Sequence, residues 1–387
     1  MRLITLSGEG RKLEVGNETV LFRHEKTFYH PPGLFVRIRD TQPIDEIHQV
    51  AAQVEHYSVD YVGTALTMDG VAIEAVSGDG TTFTEAVSAV RAASQRPLIL
   101  MSRDPAILEA GLARLSGGVP LLYTADETNW QAMAALAKRT KLPLVCQAQG
   151  LQALANLVEK VKAAEVEDLV LDPAVRDFPG SLAALSQIRR MAVKKNFRLL
   201  GYPAITFPGE GAADAVEEGL LAGQHIGKYA GFVVLDRFSP ELAYALLVLR
   251  QNIYTDPQKP IQVQPGLYEL NNPTPESPVL VSTNFSITYF SVANEIGGTG
   301  RPAWLLIADA EGMSVLTAWA AGKFDAARIA KAVQTSGVAD KVNHRRLIIP
   351  GYVAVLSGEL EEVLPDWEVM VGPREAIDLP GFLRLRW

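Results

Sequence analysis

Cysteine is nearly absent from this sequence: of 387 residues only Cys146 carries a thiol. One thiol closes no disulfide within the chain, and it builds neither a thiolate zinc cage nor a four-cysteine iron–sulfur centre. Such sparing use suits a reducing cytoplasm. Long apolar runs are missing too. No stretch reaches the roughly 18 apolar residues of a membrane span, and the opening MRLITLSGEGRK lacks the apolar core of a signal peptide. Basic charge is in deficit, with 36 Lys and Arg against 44 Asp and Glu, for a net charge of −8. Neutralising phosphates needs clustered cations, so the balance argues against a nucleic-acid binder. Together these features predict a soluble, cytoplasmic protein with no nucleic acid and no membrane among its partners.

Hydrophobic residues make up 48% of the chain and charged residues 21%, an ordinary globular composition. The length exceeds one core and fits a barrel-sized domain with a smaller one. Short apolar runs rich in β-branched residues recur: LFVRI (34–38), VDYVGTAL (59–66), LILMS (98–102), PLLYT (120–124), PLVCQA (143–148), DLVLDP (168–173), RLLGYPA (198–204) and FVVLDR (232–237). They lack clean alternation, as parallel strands buried on both faces do. Helical spacing separates them, as in LQALANLVEKVKAA (151–164), and Asp104-Pro105 and Ser239-Pro240 mark helix starts. Eight strand–helix units predict a TIM (β/α)₈ barrel over residues 1–250, with a doubly wound open sheet as the competing arrangement. GRKLEV and ETVLFRHE, around Gly16-Asn17, predict a hairpin that plugs the barrel's bottom.

Prolines 257, 260, 265, 273, 275 and 278 crowd the next stretch, so residues 251–277 are expected to be an extended linker. The pattern then restarts over 278–387. Strands are predicted at VLVST (279–283), AWLLIAD (303–309), SVLTA (314–318), LIIPG (347–351) and WEVMVG (367–372), with helices between, which makes a Rossmann-like α/β domain. Its strand ends Thr283-Asn284, Asp309, Gly351 and Gly372 are small or polar, as at the ligand crevices of open α/β sheets.

Motifs for common cofactors are lacking. GGTGRP (297–302) precedes a strand rather than following one, so it is no dinucleotide fingerprint, and no GxxxxGK[ST] occurs. His344 is the only histidine of the C-terminal domain, and the D-x-H-x-x-G signature of histidine-ligated cobalamin is absent. In the barrel, Asp40, Ser102, Tyr123, Gln147, Asp172 and Asp236 fall at predicted C-terminal strand ends. Such residues carry catalysis in barrel enzymes, or else cap helices or meet a neighbouring subunit. Cys146 reads as a buried, inert thiol, His24 and His30 as structural, and Glu217-Glu218 as a solvated helix face.

Three C-terminal runs carry a family resemblance: VLVSTNFSITYFSVANEI, WLLIADAEGMSVLTAWAAGKF and HRRLIIPGYVAVLSGELEEVLPDWEVMVGPREA. They closely resemble the large (gamma) subunit of the corrinoid iron–sulfur protein of the acetyl-CoA (Wood–Ljungdahl) pathway, to which the acetyl-CoA decarbonylase/synthase gamma subunit is related. ETVLFRHEKTFYHPPG (18–33) resembles the start of that family's barrel, and the likeness extends over essentially all 387 residues. It implies a base-off cobalamin, with no protein ligand beneath the cobalt, held between the C-terminal domain and a partner subunit. Thr283 and Tyr289 would touch the corrin periphery. Met313, Ser314, Val315, Leu316 and Thr317 would lie beneath the cobalt. Gly351, Tyr352, Ala354 and Leu356, with Gly372, Pro373, Arg374 and Glu375, would hold the tail and side-chain amides.

The resemblance further implies a methyl carrier in a cobalt-methyltransferase step rather than a stand-alone enzyme. Its Co(I) accepts a methyl group from methyltetrahydrofolate and delivers it to acetyl-CoA synthase. The implied partners are the small subunit in a heterodimer, the methyltetrahydrofolate methyltransferase, acetyl-CoA synthase and a reductive activator protein. The family's N-terminal domain, with a [4Fe–4S] cluster on four cysteines, has no counterpart in a sequence with one cysteine. The competing function is a barrel methyltransferase acting on a pterin, with the C-terminal domain serving dimerisation.

Overall fold

A computed structural model describes residues 1–61, 64–255 and 261–387. Two compact units are present, one of residues 1–59 and 65–256 and one of residues 60–64 and 257–387. The first begins with the antiparallel hairpin β1 (Leu3–Gly8) and β2 (Arg11–Gly16). The expected partner of RKLEVG was the segment after it; the observed partner is LITLSG before it, and the turn falls at Glu9-Gly10, with Gly10 at φ +74°. Alternation explains the pairing, because Ile4, Leu6 and Val15 point together into the barrel's interior cluster. Ser7 exchanges backbone hydrogen bonds with Val119, just before a barrel strand, so the hairpin sits at the N-terminal pole.

The barrel strands are β3 (Gly33–Arg39), β6 (Gly70–Glu74), β7 (Leu98–Met101), β8 (Leu121–Ala125), β9 (Leu144–Gln147), β10 (Leu169–Asp172), β11 (Ala204–Thr206) and β12 (Ala230–Leu235). They close in the order β10-β11-β12-β3-β6-β7-β8-β9, parallel throughout. Phe35, Ile99, Val145, Val170, Phe207 and Phe232 are among the side chains that fill the interior. Two expected strands are corrected. VDYVGTAL instead supplies a separate ribbon, β4 (Ser58–Tyr61) with β5 (Thr64–Thr67), its Val62 and Gly63 lying outside the described residues. The barrel's second strand is GVAIE, whose run of three apolar residues is shorter than the run that drew the assignment. In RLLGYPA, residues 198–200 form a 3₁₀ turn and the strand starts only at Ala204.

The second unit is a five-stranded sheet in the order β13-β15-β14-β16-β17, built of β13 (Gly266–Leu270), β14 (Val279–Thr283), β15 (Ala303–Ala308), β16 (Arg346–Ile349) and β17 (Glu368–Val371). All pairs are parallel except β13–β15. Both faces are covered. Val279, Val281, Leu306, Leu347 and Ile349 pack with Ile329, Val333 and Leu360 of helices Ala326–Thr335 and Ser357–Val363. Leu280, Leu305 and Ile348 pack with Ile296, Leu379 and Leu383 of helices Ser286–Thr299 and Leu379–Arg386. The expected linker is corrected here, because its residues 266–270 form the antiparallel edge strand; Pro257 and Pro260 lie outside the described residues. SVLTA is also corrected from strand to helix. Ser314 stands in extended backbone as the N-cap position and Val315–Ala320 is a short α-helix. So short a run cannot by periodicity alone be told from one helical turn and a half.

Candidate functional site

Strand order locates the crevice. The chain leaves β14 toward one face of the sheet and β16 toward the other, while β14 and β16 lie side by side. Ligands of open α/β sheets bind outside the carboxyl ends at such a reversal. A cleft of about 250 Å³ opens there. Its lining includes Leu280, Val281 and Ser282 of β14, Ile287, Thr288 and Ser291 of the next helix, Ser314, Val315 and Leu316, and then Tyr352 with Gly372, Pro373, Arg374 and Glu375. Enclosing a drug-sized ligand takes roughly 300–1,000 Å³, so this cleft is too small and too open to surround one.

Two loops make one rim. Gly351 N–H donates to the Pro373 carbonyl at 2.9 Å, and Gly372 N–H donates to the Ile349 carbonyl at 2.9 Å. A Cβ on Gly351 would sit 2.6 Å from Gly372 O and 2.8 Å from the Pro373 carbonyl carbon, so glycine is required for the loops to touch. Tyr352 donates a short hydrogen bond to Glu375, which raises the phenol's pKa, and the Arg374 guanidinium lies 6.0 Å from the Tyr352 ring.

The segment expected to form the floor carries a pair of hydroxyls, of which Ser314 lines the cleft and Thr317 is exposed beside it. Ser314 Oγ and Thr317 Oγ1 are 3.0 Å apart at the head of the short helix. Met313 turns against the hydrophobic core. The Oγ of Ser282 and the Oγ1 of Thr283 are buried and have no hydrogen-bond partner within the protein. His344 hydrogen bonds the Ser277 carbonyl before β14 and precedes β16, which puts it at the opposite end of the sheet from the cleft. Among the described residues no group of three or more His, Cys, Asp and Glu is placed to hold a metal ion.

Of the residues singled out from sequence, Ser314, Val315, Leu316, Tyr352, Gly372, Pro373, Arg374 and Glu375 line the cleft. Thr283 lies fully buried beneath it, Gly351 supports its rim, and Thr317 joins it through Ser314. Tyr289 faces elsewhere, edge-on to Tyr268 and Phe290, and Leu356 is in the core. Ala354 is half-buried in the 3₁₀ segment Gly351–Leu356. Ser282, Ile287, Thr288 and Ser291 were missed. Alternation along β14 and the i, i+4 spacing of Ile287 and Ser291 were the available signals.

The barrel's carboxyl pole holds a second polar cluster. Asp172 is fully buried and accepts from five donors: Tyr123 Oη, Gln147 Nε2, Ala174 N, Arg176 Nη1 and Arg176 Nη2, all at 2.8–2.9 Å. Arg176 continues to Glu210, Glu210 to Arg37, and Arg37 to Asp236, which also meets Arg39. Burial, then the Asp172 charge, holds the Tyr123 phenol well above its ordinary value. Asp40 instead binds the backbone and hydroxyl of Ser77, and Ser102 accepts from Asp104 N–H. The expectation for Glu218 is corrected: it is fully buried and accepts the Asp236 N–H, and burial raises its pKa, whereas Glu217 is exposed. Burial also pushes the Cys146 thiol up to about 12. The arginines and Glu210 went unnoticed because each needs the closed barrel to find its partners.

No helix of the described residues is long and apolar enough to cross a membrane. The CO dehydrogenase/acetyl-CoA synthase delta subunit family matches residues 4–383. The corrinoid/iron-sulfur protein large subunit of Moorella thermoacetica is 43% identical over 381 residues, covering 98% of this chain and 85% of that protein. The acetyl-CoA decarbonylase/synthase complex subunit gamma of Archaeoglobus fulgidus is 34% identical over 97% of this chain and 82% of its own length. Among solved structures, the dihydropteroate synthase of Thermus thermophilus in complex with 6HMPPP covers 66% of this chain and 100% of its own, with 15% identity and a TM-score of 0.45. The chain therefore belongs to the family that contains the large subunit of the corrinoid/iron–sulfur protein and the gamma subunits of acetyl-CoA decarbonylase/synthase.

Proposed function

We propose that this chain is the corrinoid-holding subunit of a methyl carrier in the acetyl-CoA pathway, and that its Rossmann-like second unit cradles a base-off cobalamin. The observation that carries the reading is the donor set of the cleft. Its floor offers the Ser314 and Thr317 hydroxyls but no imidazole or thiolate, and the unit's histidine lies at the sheet's other end. When bound, the corrinoid supplies a cobalt centre that takes up a methyl group and gives it up again, chemistry that belongs to the cofactor.

The protein's part is to hold and orient. Buried hydroxyls without partners cost free energy unless a ligand satisfies them, and Ser282, in the cleft lining, is such a group. The amide side chains around a corrin ring are suitable partners. The Tyr352–Glu375–Arg374 rim offers both a carboxylate and a guanidinium to the same periphery. A cleft that covers one face leaves the other to a partner, and we assign that place to the small subunit. The methyltetrahydrofolate methyltransferase, acetyl-CoA synthase and a reductive activator are the carrier's further partners in this reading.

The competing reading is a pterin-transforming barrel, whose mouth would have to offer the substrate polar groups not already engaged. Asp172 has about four lone-pair directions and already accepts five hydrogen bonds. Reconstitution with hydroxocobalamin followed by gel filtration separates the two. Corrinoid absorption bands travelling with the protein are expected. A colourless protein that turns over a methylated pterin would establish the competing reading instead.

A further inference from the structure

We propose that Asn284 is a positioning residue for the floor of the cleft, the centre of a clasp formed with Gln262, Asp309 and Gly312. This rests on the corrinoid reading and deepens it. Asn284 follows the last residue of β14 and is 2% exposed. Its Oδ1 accepts the N–H groups of Ala310 and Gly312, both at 2.9 Å. Its Nδ2 donates to Asp309 Oδ1 at 3.2 Å and to Gln262 Oε1 at 3.3 Å. Asp309 Oδ1 in turn accepts Glu311 N–H at 3.0 Å. One amide therefore satisfies the backbone of the loop that runs from β15 into Ser314.

The loop needs that support because its own conformation is costly. Glu311 and Gly312 both stand in the left-handed region, at φ +54° and +73°. Glycine adopts it freely, but glutamate does so at a cost. Gln262 closes the other side, its Cγ lying 2.6 Å from where a Cβ on Gly312 would project. Two residues later the chain reaches Ser314, whose hydroxyl meets Thr317. The clasp is thus the device that fixes the height of this hydroxyl pair, while making no contact with a ligand itself. Asn suits the task because one side chain must accept twice and donate twice; Asp cannot donate and Leu can do neither.

The test uses the 387-residue chain, hydroxocobalamin as the probe, amide hydrogen exchange and thermal unfolding. Asn284→Ala should lose exchange protection at Ala310 and Gly312 and bind hydroxocobalamin roughly tenfold more weakly or worse. Gln262→Ala, at a half-buried position that is safer for folding, should shift affinity in the same direction by less. The control is Asn271→Gly, which removes hydrogen bonds to the Ile296 and Arg301 carbonyls in the same unit and tolerates the native φ of +54°. It should lower the unfolding temperature yet leave hydroxocobalamin affinity unchanged. Unaltered affinity in both Asn284→Ala and Gln262→Ala, or an equal loss in Asn271→Gly, would overturn the clasp alone. A parent chain that binds no hydroxocobalamin would overturn the corrinoid reading and the clasp with it.

Discussion

His225 illustrates how a single residue couples the barrel to pH. It lies in helix Ala215–Gly227, is 1% exposed, and neither ring nitrogen has a hydrogen-bond partner. Burial, reinforced by the Arg176 charge, lowers its pKa from 6.5 to about 4. The folded chain thus keeps this ring neutral, while the unfolded chain takes up a proton near 6.5. The resulting stability is complete above that value and is lost as pH falls toward 4, by on the order of 3 kcal/mol. His225→Leu should remove much of the difference in urea midpoint between pH 7 and pH 5. A variant with the parent's full pH dependence would place the proton uptake elsewhere.

At the scale of elements, the rim formed by the loops after β16 and β17 depends on close backbone approach. Gly351→Ala would thrust a methyl into backbone atoms of the neighbouring loop, a kind of overpacking that costs about 1–3 kcal/mol. Gly358→Ala is the matched control. It sits in helix Ser357–Val363 with open space around its Cα, so it should stabilise by roughly 0.4–1 kcal/mol. Urea unfolding of the two variants checks the opposed signs, and equal shifts would refute the close approach. The same loops show what the sequence could reveal. Gly351 and Gly372 stood out as small residues at strand ends, and the barrel strands with long apolar runs were legible from composition. Strand β13 was hidden because Pro265 and Pro273 flank it, and an edge strand tolerates such neighbours. Arg37, Arg176 and Glu210 were hidden for another reason: charge pairing across 34 and 173 residues leaves no periodic trace.

For the molecule as a whole, the observed sheet predicts where the second unit can be cut. A fragment of residues 261–387 retains β13, whose Leu267 packs on one core and whose Tyr268 and Leu270 pack on the other. A fragment of residues 278–387 loses that strand and bares the edge of β15, an invitation to intermolecular pairing. Light scattering on the two should find the longer fragment monodisperse and the shorter one aggregating; equal behaviour would mean that β13 adds nothing to the unit. The central claim, that the cleft beyond β14, β16 and β17 is where the corrinoid rests, is most directly tested by amide hydrogen exchange of the chain with and without hydroxocobalamin. The account predicts new protection confined to residues 314–317, 351–352 and 372–375. Protection that appears instead at the barrel's carboxyl pole, around Arg37, Asp172 and Arg176, would contradict it.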